Sequence, residues 1–416
     1  MAKAHQDGGR AGKPPEGKSW GENTKQSHPE YPNVEDKPPG WNNKATDAKD
    51  IRRRFGIEPF SDTYDFRAYP DCLIHESATE DRGTTQVGGT NFLATGEKGS
   101  GKSTWGLYWT TRLMEVNSEA VVWRGSPTRS EWLPLKPWTR LFLPSSAKHE
   151  ASWKPIEVSG TVEDSNADLE EEVREVVYYD DPIDLNQKLK PGTFNVVYPD
   201  PSFSGCEEIV NESDYFDGKV EWVARWNASE EKEPTPLVHW WFAWAIARIE
   251  HGPYLWTSLV FDETADLAPE SAKADVHETY EKVKALRKVM ADSRKFHFSL
   301  FYLAHHEENL HSKIRRTIQW RISMPDGTAN PAEENNDRAP VGFSSIPMIR
   351  DQLSRRPVGN LIFWNETSFN KVVWDDIAKF PEDERRWLKI SLSEGCARAR
   401  SGVEATGGEG GEPADD

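Results

Sequence analysis

The sequence predicts an α/β protein, in which a mostly parallel central sheet lies between two layers of helices and carries insertions and polar tails. Two observations lead there. Short apolar runs without a polar face alternate along the chain with longer, partly charged segments, which is the pattern of strands covered on both sides and joined by helical crossovers. The hydrophobic fraction is low, 36% of 416 residues, yet 18 Trp and 17 Phe supply bulky side chains for a core.

Residues 1 to about 50 are rich in Lys, Gly, Pro, Asn and Asp and nearly devoid of aliphatic side chains, so they are expected to form a disordered tail. Its lysines are balanced by acids, which favours a solvated tail over one that grips nucleic acid or a partner. Phe92-Leu93-Ala94 reads as a strand and Thr104 through Met114 as a helix. Ala120-Val121-Val122-Trp123 is a second strand. From about 147 to 186 the chain turns acidic and irregular around Glu170-Glu171-Glu172, and an insertion is expected there. Thr193 to Tyr198 is a strand stopped by Pro199, and 201–235 reads as another polar insertion. Leu237 to Ile249 is a helix apolar nearly all round, with Trp240, Trp241 and Trp244, as expected of one buried against a sheet.

Leu255 to Phe261 is a strand without a polar face. Val276 to Lys295 is a charged helix with Val283, Leu286, Val289 and Met290 on one side. Phe298 to Leu303 is another buried strand, and Ile318 to Ile322 a shorter alternating one. Asn360 to Trp364 and Lys371 to Trp374 form a terminal hairpin, and a Gly- and Glu-rich tail closes the chain. The expected plan is a tail over 1–50, one catalytic domain over 51–400 and a tail over 401–416.

Composition narrows the function. The net charge of −18 argues against nonspecific DNA binding over the whole surface, and suits adaptation to high salt. Cys72, Cys206 and Cys396 are far apart and show no C-x-x-C spacing, which disfavours a zinc ribbon or a disulfide scaffold. No apolar run reaches the ~18 residues of a membrane span. The N-terminus has no hydrophobic stretch of the secretory kind. A cytoplasmic protein is the expectation.

The chemistry begins at Gly96-Glu97-Lys98-Gly99-Ser100-Gly101-Lys102-Ser103, which fits G-x-x-x-x-G-K-[ST] at every fixed position. In such a phosphate-binding loop the glycines let backbone N–H groups turn inward around a polyphosphate. Lys102 reaches the β- and γ-phosphates of ATP, and the Ser103 hydroxyl ligates Mg²⁺. The following helix, opening at Thr104, aims its positive end at the phosphates. A chance match in a glycine-rich turn is the alternative, and the strand before and the helix after weigh against it.

Leu259-Val260-Phe261-Asp262-Glu263 ends a buried strand in two carboxylates. Asp262 suits holding Mg²⁺ and Glu263 suits activating water, a pairing that favours hydrolysis over phosphoryl transfer to a small acceptor. Acids in a surface turn would look the same in isolation. The next strand ends in Ala304-His305-His306, where His306 is a candidate γ-phosphate sensor and an exposed structural pair is nearly as good a reading. Zinc binding is disfavoured, since adjacent strand residues point to opposite faces. His311 to Arg316, with Arg321 close behind, forms a basic patch. Arg315 or Arg316 could serve as a finger into a neighbouring subunit's nucleotide, the patch could meet DNA phosphates, or it could be a solvated helix end.

Together with Asp292-Ser293-Arg294-Lys295 and the strand through His306, these motifs resemble those of the FtsK–HerA superfamily over about 88–325. The Ser-Arg-Lys segment matches, while His305-His306 stands where that family has Thr-Gln. The resemblance implies a RecA-like P-loop ATPase that forms a ring of six and pumps double-stranded DNA, with ATP at subunit interfaces. With no membrane helices and no N-terminal β-barrel, the chain is most similar to motors of the packaging or plasmid-transfer type. A capsid or transfer-complex protein is then a partner, the protein can be associated with a virion, and the acidity fits a haloarchaeal virus, provirus or plasmid. A nucleotide-dependent switch or assembly ATPase with no DNA track is the competing reading, and a small-molecule kinase a third.

Overall fold

A computed structural model describes residues 44–59, 90–156, 165–325, 358–365 and 369–395. The expectations for 1–43 and 401–416 lie outside these residues.

Among the described residues, ten strands form one sheet in the order β12-β11-β10-β1-β9-β8-β2-β7-β3-β6. Its central strands are β1 (Asn91–Thr95), β2 (Ala120–Arg124), β7 (Phe194–Val197), β8 (Thr257–Asp262), β9 (Phe298–Ala304) and β10 (Trp320–Ser323). β3 (Thr139–Pro144) and β6 (Glu175–Tyr179) extend one side, all in parallel register. β11 (Asn360–Trp364) and β12 (Phe369–Val373) extend the other side as an antiparallel hairpin on β10. The mostly parallel α/β sheet is the predicted fold class.

The apolar strands behave as their lack of a polar face requires. Val260, Phe301 and Leu303 point to one core, and Leu259, Phe261, Leu300 and Tyr302 to the other. The first core is closed by helix α2 (Lys102–Asn117), whose Trp105 meets Phe301 edge to face at 5.0 Å. The second is closed by α3 (Trp240–Glu250), buried from Trp240 to Ile249, and by α4 (Thr279–Asp292), which turns Val283, Leu286, Val289 and Met290 inward. These are three layers, as the alternation implied. The charged helix is shorter than the 276–295 expected, because Ser293–Phe296 tightens into a 3₁₀ turn.

Two expectations are corrected. Residues 44–50, assigned to a disordered tail, belong to helix α1 (Lys44–Phe55). It has few apolar side chains, but Ala48 and Ile51 are buried, Asp47 pairs with Arg174, and Arg52 reaches Glu115 of α2 at 3.0 Å. The stretch 147–186 is not irregular throughout. β4 (Ala147–Pro155) pairs with β13 (Arg386–Glu394) and β5 (Ser165–Asn166) in a second, antiparallel sheet, while β6 joins the main one. The partner of β4 lies more than 200 residues away, so the local sequence carries no trace of the pairing.

Candidate functional site

Parallel strands place the functional segments side by side. β1, β9, β8 and β2 are consecutive neighbours, so the loops after their C-terminal ends share one edge of the sheet. The loop after β1 is Gly96 to Gly101. Gly99 and Gly101 have φ of +86° and +90°, a conformation that residues with a Cβ rarely adopt. Gly96 is needed for a different reason: a Cβ there would lie 2.5 Å from Ser100 Oγ and 2.6 Å from Met324 Cβ. Ser100 N donates to Glu97 O at 3.2 Å, closing the turn, and Trp105 N donates to Gly101 O at 2.8 Å as α2 begins.

Lys102, at the start of α2, folds back over this loop. Its Nζ donates to Gly96 O at 2.6 Å and to Glu97 O at 3.0 Å, and lies 3.4 Å from His305 Nδ1. Burial pushes the Lys102 ammonium below its ordinary pKa, and the nearby Asp262 and Glu263 carboxylates oppose that shift. Ser100 Oγ is buried with no hydrogen-bond partner in the structure. Ser103 and Thr104 follow on α2, half-buried. Glu97, Lys98 and Gly99 are exposed at the loop tip.

Facing the loop is an acidic corner at the end of β8. Asp262 is buried and Glu263 half-buried, with Glu263 N donating to Asp262 Oδ1 at 2.9 Å. Glu263 is left-handed, φ +58° and ψ +58°, an unfavourable backbone for a non-glycine residue. Thr264 Oγ1 fastens the turn to both strands, donating to Phe261 O at 3.0 Å and Leu303 O at 3.2 Å.

Sequence reasoning missed the residue that ties this corner together. Arg129, in the loop after β2, puts Nη1 3.2 Å from Asp262 Oδ2 and Nη2 3.1 Å from Glu263 Oε2. Burial works against its cation, but the carboxylates of Asp262, Glu131 and Glu263 outweigh burial and hold the guanidinium above its ordinary range. Burial, seconded by the Asp262 charge, pushes the Glu131 carboxyl up. Arg124, at the end of β2, donates to Asp262 O at 2.7 Å, lies over the Phe261 ring and pairs with Asp266 at 2.9 Å. The signal for Arg129 lay in strand order alone: β2 neighbours β8, so its following loop had to reach the acids.

Of the histidine pair, His305 is the one placed against both the loop and the acidic corner. His305 lies between Lys102 and Glu263, with Nε2 3.6 Å from Glu263 Oε2. The His306 carbonyl accepts from Asn309 N at 3.3 Å in the next 3₁₀ turn. Both histidines lie past the end of β9, in the bend that leads to the next 3₁₀ turn, so strand alternation does not govern which of them meets the loop.

The basic patch is divided. Arg321 is buried against Glu307, with Nη2 2.8 Å from Oε1. Arg315 pairs with Glu270 at 3.5 Å, and Arg316 is exposed. By Gln319, which donates to Asn91 O at 3.0 Å, the chain has reached the start of β1, opposite the glycine loop.

Among the described residues no group of three or more His, Cys, Asp or Glu could hold a metal ion by itself, and no helix is long and apolar enough to cross a membrane. One carboxylate and one hydroxyl, Asp262 and Ser103, are nonetheless the donor set that Mg²⁺ uses when phosphates and water complete its shell.

No protein-family model and no curated protein matches this chain. Among solved structures it is similar to the genome packaging NTPase B204 from Sulfolobus turreted icosahedral virus 2 in complex with ATP-gammaS, at 10% identity over 68% of this chain and 96% of that one, TM-score 0.34. It is similar to the N-terminal domain of zonular occludens toxin from Neisseria meningitidis, at 10% identity over 73% and 94%, TM-score 0.26. It is also similar to the pCW3 conjugation coupling protein TcpA, monomer form with ATPgS, at 11% identity over 77% and 70%, TM-score 0.30.

Proposed function

We propose that the chain is an ATPase that hydrolyses Mg²⁺-ATP at the edge shared by β1, β8 and β9. The observation that carries this reading is the position of Lys102: an ammonium resting on the carbonyls of a left-handed glycine loop, beside His305 and opposite Asp262 and Glu263. Gly96 to Thr104 supply N–H groups and the positive end of α2 to the phosphates. Lys102 leaves the loop carbonyls for the β- and γ-phosphates, and the orphaned Ser100 Oγ gains an acceptor there. Asp262 and Ser103 hold Mg²⁺, which neutralises phosphate charge.

Glu263 takes a proton from the attacking water, whose oxygen bonds to the γ-phosphorus as the bond to ADP breaks. Arg129 acts through Asp262 and Glu263, fixing both carboxylates, and is a positioning residue. His305 stands where a γ-phosphate would be felt, so the sensor role passes to it from His306.

The hydrolysis drives double-stranded DNA through a ring of copies, in genome packaging or DNA transfer. The resemblance of Ser293-Arg294-Lys295 and the strand after it to the FtsK–HerA pattern supports this part. So does the exposure of Arg316, which makes it accessible to a neighbouring copy. A second reading is an assembly ATPase with no DNA track, favoured by the net charge of −18 and by the neutralisation of Arg321 on Glu307.

One experiment separates them. Phosphate release is measured with and without duplex DNA across a salt series, for the native chain and for Glu263→Gln. The DNA motor predicts stimulation by DNA that fades with salt. Stimulation absent at every salt level selects the assembly ATPase. Glu263→Gln is expected to bind ATP and to hydrolyse it about a hundredfold or more slowly, and near-normal turnover removes Glu263 from the mechanism.

A further inference from the structure

The β11–β12 hairpin closes on the glycine loop through two residues without an assigned role. A Cβ on Gly101 would lie 3.0 Å from Trp374 Cζ2 and 3.1 Å from Val358 Cγ1. Val358 precedes β11 and Trp374 follows β12, and the two are tied as one unit: Trp374 N donates to Gly359 O at 3.1 Å, with Gly359 in a left-handed turn at φ +96°. They differ in exposure. Trp374 is 5% exposed, seated in the core, while Val358 is 61% exposed. The side chains at the loop tip, Glu97 and Lys98, are charged. An apolar, solvent-facing side chain backed by an indole edge therefore adjoins the last glycine before Lys102.

A nucleoside triphosphate held by its phosphates at the start of α2 must lay its base on the surface next to that loop. A base needs a dry face to lie on, since its rings are large and apolar while its edges are polar. We propose that Val358, backed by the benzo edge of Trp374, is the seat of the nucleotide base, and that this chain recognises its substrate by face contact with a purine as well as through phosphate. The proposal rests on the triphosphate reading of the glycine loop. Face contact discriminates by ring area, so purines bind better than pyrimidines. Adenine and guanine, equal in area, are not separated by these two side chains.

The test is calorimetric titration of the full chain with ATP, CTP and inorganic tripolyphosphate, for the native protein and for Val358→Ser, Trp374→Ala and Trp374→Phe. Val358→Ser alters an exposed side chain and leaves the fold intact, so it decides the matter if Trp374→Ala fails to fold. The native chain is expected to prefer ATP over CTP and over tripolyphosphate. Val358→Ser and Trp374→Ala are expected to weaken ATP by roughly threefold to tenfold, with tripolyphosphate affinity unchanged. Trp374→Phe restores most of the loss. Unchanged ATP affinity in Val358→Ser overturns the proposal. So does a loss of tripolyphosphate affinity in step with ATP, which would mean the hairpin shapes the loop and does not touch a base. A native chain that binds tripolyphosphate as tightly as ATP refutes the base seat alone, whereas one that binds neither refutes the triphosphate reading itself.

Discussion

The glycine loop and the acidic corner facing it are assembled in different ways. The loop takes its shape from consecutive residues: Gly99 and Gly101 supply the left-handed turns, and Lys102 folds onto carbonyls five and six positions back. The corner takes Arg129 from the loop after β2, Asp262 and Glu263 from the end of β8, and His305 from the end of β9. A loop of the first kind needs a strand before it and a helix after it. A corner of the second kind exists only when three parallel strands are in register. The difference teaches where each should be fragile: the loop to its own residues, the corner to the residues that hold separate strands together.

The largest expected effect breaks the loop. Under the proposed hydrolysis, Lys102→Ala removes the ammonium that meets the phosphates and lowers phosphate release by about a thousandfold. Activity near the native level would show that the loop is not where the triphosphate sits. Breaking the corner costs less, because no phosphate contact is lost. Arg129→Ala is expected to lower kcat by about ten- to a hundredfold while ATP affinity measured by titration changes little. Arg129→Lys should rescue poorly, since an ammonium cannot span two carboxylates as a planar guanidinium does. A fall in ATP affinity without a fall in kcat would place Arg129 in substrate binding. The smallest effect sharpens the comparison within the bend after β9. His305→Ala is expected to cost about tenfold in kcat, against no measurable change for His306→Ala, and equal effects would refute the assignment of the sensor to His305.

The same contrast explains what could be read from residues alone. The loop was legible because all of its determinants are contiguous, and Asp262-Glu263 because the pair terminates a recognisable buried strand. Arg129 and Glu131 were not, since nothing local distinguishes them from other charged loop residues; their meaning comes from β2 lying beside β8. His305 and His306 are equivalent in sequence and separate only once the side facing the loop is known. The alternating layers were legible from faceless apolar runs. Helix α1 was not, because its anchoring to α2 uses Ala48, Ile51 and Arg52 in an otherwise charged segment. The sheet formed by β4 and β13 depends on a pairing across more than 200 positions.

Glu263 stands in a backbone conformation that glycine or asparagine would adopt more cheaply, by roughly 1 kcal/mol. A sequence optimised for thermal endurance alone would make that exchange. Under the proposed hydrolysis, relieving the bend with Glu263→Gly would gain that stability and remove the group that takes the proton from water.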